Sequence, residues 1–191
     1  MASTSLKFTP SGAGDSNRIF TLSMWFKRSI VSGTEHYLFE CNEAADNNDN
    51  FRVIIASGEN IIIQDTEANV SNLDLRTDML FRDTTAWYHL VLEVDTTQAT
   101  AADRAKLYIN GEQITDFSTE TYPSQNYDTN VSQSGEPFIL GRRESASTPT
   151  SYFNGEMAHV HFTDGTAYDA DTFGETESRS GIWKPKVTPS V

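Results

Sequence analysis

The sequence predicts an all-β protein, an antiparallel sandwich of two sheets. Three observations carry that expectation. Apolar residues recur at every second position in the best-patterned stretches; clusters of Gly, Asn, Asp, Ser and Thr separate those stretches; and nowhere does the strand–helix–strand rhythm of a parallel sheet occur.

Each element follows from its residues. Over residues 18–27, Phe20, Leu22, Met24 and Phe26 alternate with Thr21, Ser23, Trp25 and Lys27, so a strand there turns one face to a core and carries Trp25 on the other. Shorter strands are expected at 37–41, 51–57 and 60–65, the last two joined tightly through Ser57-Gly58-Glu59-Asn60. Residues 87–95 repeat the alternation, with Tyr88, Leu90, Leu92 and Val94 inward and Trp87, His89, Val91 and Glu93 outward, and their length suits a central strand. A strand at 105–110 runs into Asn110-Gly111, a pair suited to the positive φ that both central residues of a type I′ turn require. Strands at 137–141 and 152–163 come next, and the one helical turn expected, at 169–173, has Asp169 as N-cap and Gly174 as its stop. Residues 41–50 and 115–136 read as long polar loops, where binding side chains concentrate on a rigid sandwich.

Composition bounds the function. With 191 residues the chain suits a single domain over 1–191. Its 27 acidic and 14 basic side chains give a net charge of −13, which repels phosphate backbones and anionic membrane surfaces alike, so no nucleic acid is expected among its partners. No apolar run approaches the ~18 residues of a membrane span, so membrane insertion is not expected either. A lone cysteine, Cys41, leaves no intrachain disulfide, and the first residues lack a signal-peptide-like apolar stretch. These features suit folding in a cytoplasm, and a virion protein assembled inside its host cell meets the same conditions.

The order of segments then brings a family into view. Phe20-Thr21-Leu22-Ser23-Met24-Trp25-Phe26, the run from Trp87 to Asp95, Lys106-Leu107-Tyr108-Ile109-Asn110-Gly111, Phe138-Ile139-Leu140-Gly141 and the run from Phe153 to Val160 together resemble a laminin-G-like domain of the concanavalin A-like jelly-roll superfamily. The closing segment, Phe162 to Tyr168, then Phe173-Gly174-Glu175, then Gly181 to Lys186, is similar to laminin-G-like modules in structural proteins of tailed bacteriophages. The resemblance implies a concanavalin A-like jelly roll. Its core would hold Phe20, Leu22, Met24, Tyr88, Leu90, Leu92, Val94, Leu107, Ile109, Ala158, Val160 and Phe162. It also implies a non-enzymatic virion module, in capsid decoration or in a tail, that binds other virion proteins or host-surface glycans and forms a homo-oligomer. The alternatives are a free-standing carbohydrate-binding lectin and, behind it, a glycoside hydrolase.

Candidate chemistry is sparse. Glycosidases of the superfamily carry Glu-x-Asp-x-x-Glu along one strand, and this chain has no such motif; Glu93 and Asp95 are the nearest acids on a strand, and no catalytic residue is assigned. No Gly-x-Ser-x-Gly elbow or phosphate-binding glycine loop occurs. His159 and His161, two apart on one strand, would share a face, with His89 as a third nitrogen, but no carboxylate or thiolate completes a zinc site. Relatives bind calcium through loop oxygens, for which Asp46, Asn47, Asn48 and Asp49 are the available donors; the better expectation is a solvated acidic loop with no metal and no cofactor. Binding to a sugar or a partner protein is therefore assigned to Tyr122, Asn126 and Tyr127 in the second long loop and to Trp25 on the outward face, since aromatic rings stack on the apolar faces of sugars.

Overall fold

A computed structural model of the chain describes residues 4–42, 49–144 and 149–191. Along the chain the strands are β1 (Leu6–Phe8), β2 (Ile19–Arg28), β3 (His36–Asn42), β4 (Asn50–Ile55), β5 (Asn60–Glu67), β6 (Val70–Leu80) and β7 (Tyr88–Asp95). They continue as β8 (Ala105–Ile109), β9 (Glu112–Gln113), β10 (Phe117–Thr121), β11 (Phe138–Leu140), β12 (Gly155–Asp164), β13 (Gly174–Thr176) and β14 (Trp183–Pro185). One sheet has seven strands in the order β1-β11-β3-β4-β5-β6-β10, a second has five in the order β12-β2-β7-β8-β9, and β13 and β14 pair as a separate two-stranded ribbon. All neighbours are antiparallel, as expected of a jelly-roll sandwich.

The core lies between the sheets because the apolar sets of β2, β7 and β8 meet those of β3 to β6. Phe20, Leu22, Met24, Phe26, Leu90, Leu92, Val94, Leu107 and Ile109 lose almost all solvent contact against Phe39, Phe51, Val53, Ile55, Ile61, Ile63, Leu73 and Leu75. Each such side chain contributes roughly 1.5–3 kcal/mol by burial. Phe20 meets Phe51 of the opposite sheet edge-on at 5.5 Å and stacks at 5.7 Å on Phe162 of its own sheet, which in turn stacks on Phe39 of the opposite one at 6.4 Å. Cys41 is fully buried in this layer, and burial pushes its thiol up to about 12.

Several strands lie outside the expected set, among them the short β1, β13 and β14 and the longer β6 and β10. β6 was not foreseen, because Asn72, Asp74, Arg76 and Asp78 lower its strand propensity; it forms because Leu73 and Leu75 reach the core while the polar set faces out. β10 lies inside the stretch read as a loop, pairing with β6 across a bulge.

In β12 a bulge sets His159 and Val160 against the single residue Met24, with His159 at φ +47°. Period-two reading fails there. Met157, Val160 and Phe162 pack on the core, whereas Ala158, expected inside, pairs with outward-facing Trp25 and belongs to the other face.

The hairpin between β4 and β5 turns as expected, but its positive φ falls on Glu59 (+73°) rather than Gly58. Glu59 is held in that conformation by a buried ion pair with Arg28, whose Nη1 also donates to the Phe81 carbonyl at 2.5 Å. The Asn110-Gly111 turn has both central φ positive, +51° and +87°, as its composition requires.

Beyond β12 the chain returns over the outer face of the five-stranded sheet. A 3-10 turn, Ala170–Thr172, is capped by Asp169, whose side chain accepts the Thr172 N–H at 3.2 Å. Beyond it Phe173 and Ala170 pack on Val91, and Trp183 lies over Gly111 and Gly174, where a Cβ would come within 2.7 and 2.3 Å of its ring.

Candidate functional site

The four residues assigned to binding are not brought together. Trp25 is only 7% exposed, its ring stacked on His89 at 4.8 Å, so neither its position nor its faces suit a sugar platform. That corrects the expectation, and the physical reason is the C-terminal cover. Trp183 donates its indole N–H to His89 Nδ1 at 2.9 Å, so His89, wedged between the two tryptophans, closes this face. Tyr122 sits at the β10 edge, packed partly on the main core and donating its hydroxyl to Glu120 at 2.7 Å. Asn126, with φ +62°, is a turn residue whose N–H donates to the Thr96 carbonyl at 2.8 Å, and the Tyr127 hydroxyl accepts from Asn72 at 3.0 Å. This loop is tied to the sandwich end by Asn130, whose side chain donates to buried Asp65 at 2.6 Å.

The remaining candidates are engaged in the fold. Glu93 accepts from Tyr108 at 3.0 Å and pairs with Lys106 at 3.4 Å, while Asp95 caps the turn at Thr97. His89 accepts from Trp183 at one nitrogen and contacts Ser23 Oγ at 2.9 Å with the other, leaving no lone pair for a metal. Among the described residues no three His, Cys, Asp or Glu side chains converge as metal ligands. Of the expected calcium donors, Asp46, Asn47 and Asn48 lie outside the described residues, and Asp49 accepts the Ala68 N–H at 2.6 Å.

A different arrangement stands out on the seven-stranded sheet. The pairing register strings one residue from each strand into a row: Lys7, Ile139, Glu40, Arg52, Gln64, Asp74 and Thr121. Since the neighbouring row Phe39, Val53, Ile63 and Leu75 fills the core, pleating turns this one outward. The next outward row is Tyr37, Ile54, Ile62, Arg76 and Thr119.

Hydrogen bonds fix these side chains in a chain across the face. Arg52 donates through Nε to Gln64 Oε1 at 2.8 Å, and Nη2 donates to the same oxygen; Nη1 reaches the Tyr37 hydroxyl at 3.3 Å. Gln64 Nε2 donates to Ser71 at 3.0 Å and to Asp74 at 3.2 Å, and Asp74 in turn holds Arg76 in a two-point pair at 2.9 Å. Arg143 lies over the Tyr37 ring, 5.9 Å from its centre. Glu40 accepts the Glu144 N–H at 2.5 Å and is otherwise buried, which pushes its carboxyl up to about 7 against the pull of Arg143 and Arg52.

Glu40, Gln64 and Asp74 are themselves buried in this row, and Arg52, Ser71 and Arg76 are its partly exposed polar groups, the ones that face a ligand laid across the strands. The carboxylates of the row are not set for glycosidic cleavage. Glu40 and Asp74 stand on β3 and β6, three strand spacings or ~14 Å apart, whereas a glycosidase pair needs roughly 5–9.5 Å. Only Arg52 left a signal in the sequence, as a single charged side chain between Phe51 and Val53-Ile54-Ile55; Gln64 opens the polar run Gln64-Asp65-Thr66-Glu67, and Asp74 is one of several polar residues in β6.

A laminin G-type family model, described as the concanavalin A-like lectin/glucanases superfamily, matches residues 2–171. No curated protein matches the chain. Among solved structures it is similar to a native heptameric SAP-like pentraxin from Limulus polyphemus, at 15% identity and TM-score 0.56 over 83% of this chain and 68% of that one. It is also similar to domain 4 of an extracellular GH43 arabinanase from Geobacillus stearothermophilus in complex with arabinotriose, at 20% identity and TM-score 0.56 over 79% and 63%. A third is the CBM40 of the Ruminococcus gnavus IT-sialidase bound to α2,6-sialyllactose, at 14% identity and TM-score 0.57 over 87% and 93%. At these identities the likeness is one of fold.

Proposed function

The chain belongs to the concanavalin A-like lectin/glucanase superfamily, and from that premise we propose that it is a non-enzymatic glycan-binding module whose saccharide lies on the outer face of the seven-stranded sheet. The observation that carries this reading is the hydrogen-bonded row of Arg52, Gln64 and Asp74, flanked by Tyr37 and Arg76. Such side chains match sugar hydroxyls, which need donors and acceptors side by side, and their mutual bonds reduce the entropy lost when a ligand binds. Two structural neighbours hold oligosaccharides, and that likeness of fold is in keeping with the reading. No cofactor enters it.

The proposed setting is a phage virion, as capsid decoration or a tail component, where a homo-oligomer would contact other virion proteins and present the face to host-surface glycans. What supports this setting is the resemblance of the segment from Phe162 to Lys186.

A glycan array probed with the purified protein tests the function. Binding of micromolar order is expected, weakened about tenfold or more by Gln64→Ala, which breaks the row at its centre. A folded protein that binds no glycan overturns the reading, and turnover on a polysaccharide panel overturns its non-enzymatic part.

A further inference from the structure

The charges on the seven-stranded face do not all cancel. Asp74 is taken up by Arg76 in a two-point pair, and Glu144 is shared between Arg142 at 2.6 Å and Lys7 at 3.4 Å. Arg52 is different. Three of its N–H groups go to neutral oxygens, those of Gln64 and Tyr37, and among the described residues no carboxylate oxygen lies within ion-pair distance of it. Glu40, its cross-strand neighbour, spends one oxygen on the Glu144 backbone. A half-buried guanidinium held rigid by neutral groups is a costly way to stabilise a sheet, because the charge loses hydration and gains no direct ion pair, only the more distant pull of the Glu40 carboxyl, which burial itself pushes up to about 7. It is an economical way to receive an anion, because two N–H groups remain for a two-point bond and the side chain is already ordered.

Nearby groups favour the same ligand. Arg143 covers the Tyr37 ring, so the one aromatic side chain of these two rows is buried and offers no stacking face for a neutral sugar. The chain's charge of −13 does not prevent an anion from docking here, since at physiological salt charges beyond about 8 Å are largely screened and the local guanidinia prevail.

We propose that the saccharide bound on this face is acidic, a residue carrying a carboxylate, and that Arg52 receives that carboxylate. This rests on the glycan-binding reading above and narrows it. Selectivity arises because a neutral sugar leaves the desolvated guanidinium without a counter-charge, whereas a carboxylate supplies one.

Calorimetric titrations with sialyllactose, trigalacturonate, a sulfated disaccharide, lactose and maltotriose at neutral pH test it, on the unaltered protein and on Arg52→Gln and Arg52→Lys. The carboxylated sugars should bind about tenfold or more tighter than the neutral ones. Arg52→Gln should weaken the carboxylated sugars about tenfold more than the neutral ones and so abolish that preference, and Arg52→Lys, which keeps the charge and loses the fork, should retain part of it. Circular dichroism and melting temperature establish that each variant is folded. Equal affinity for neutral and carboxylated sugars, a preference for the sulfated one, or a preference that survives Arg52→Gln in a folded protein overturns the acidic ligand and leaves the glycan reading standing. Binding of no saccharide at all overturns both.

Discussion

Buried titratable residues of this fold respond to pH in opposite senses. His89 accepts the Trp183 indole N–H at Nδ1, so its own proton is on Nε2 and donates to Ser23; burial, then His161 and His159, pushes its pKa down to about 4. Its folded pKa lies below the unfolded one, so the stability it contributes is present above the ordinary histidine range and lost as pH falls through about 4. Glu40 and Asp65 are pushed the other way, each to about 7, chiefly by burial. Their folded pKa lies above the unfolded one, so their contribution is present below the ordinary carboxyl range and lost as pH rises through about 7. Two carboxyls outweigh one imidazole, and stability should fall as pH rises from about 5 towards alkaline values. Glu40→Gln imitates the protonated carboxyl and keeps an acceptor for the Glu144 N–H. In urea unfolding it should be more stable than the unaltered protein above pH 7 by about 2 kcal/mol, with the gap closing in mild acid; a gap that persists unchanged in acid contradicts the assignment.

At the scale of elements, the turn between β8 and β9 shows how two constraints meet on one residue. Gly111 has φ +87°, and a Cβ there would stand 2.7 Å from the Trp183 ring. Gly111→Ala should therefore cost more than the ~1–2 kcal/mol of the backbone conformation alone, because the C-terminal cover must shift as well. A melting curve, together with a change in tryptophan fluorescence, checks this, and a loss confined to the backbone cost would show that Trp183 yields freely. β2 and β7 were legible because their aliphatic alternation is uninterrupted. β6 was not, because its outward residues are those that isolated strands disfavour and only neighbouring strands satisfy. The bulge in β12 was equally hidden, since nothing in Ala158-His159-Val160 announces a positive φ on a histidine. Arg52, Gln64 and Asp74 lie 12 and then 10 residues apart, separations without local meaning that become a line only when three strands are paired in register. Aromatic side chains in loops were the visible candidates, and the fold uses them to tie its edges.

Taken as a whole, the molecule separates its two outer faces by function of chemistry. One is closed by the segment that follows β12, with Trp25, His89 and Trp183 in contact, and the other carries a hydrogen-bonded row of polar side chains centred on Arg52 and Gln64. The family resemblance covered most of the chain because jelly-roll strands leave a periodic trace, whereas a binding face built across strands leaves almost none. Between the faces lies Cys41, the chain's only cysteine, fully buried and with its thiol pushed up to about 12. A thiol reagent attacks the thiolate and must reach it, so the native protein should be nearly inert, and each labelling event should record one opening of the sandwich. The logarithm of the labelling rate should rise with urea along the slope of global unfolding; a shallower slope would mean that β3 opens by itself. The sulfur that staples nothing thus serves as a chemical clock for the whole fold.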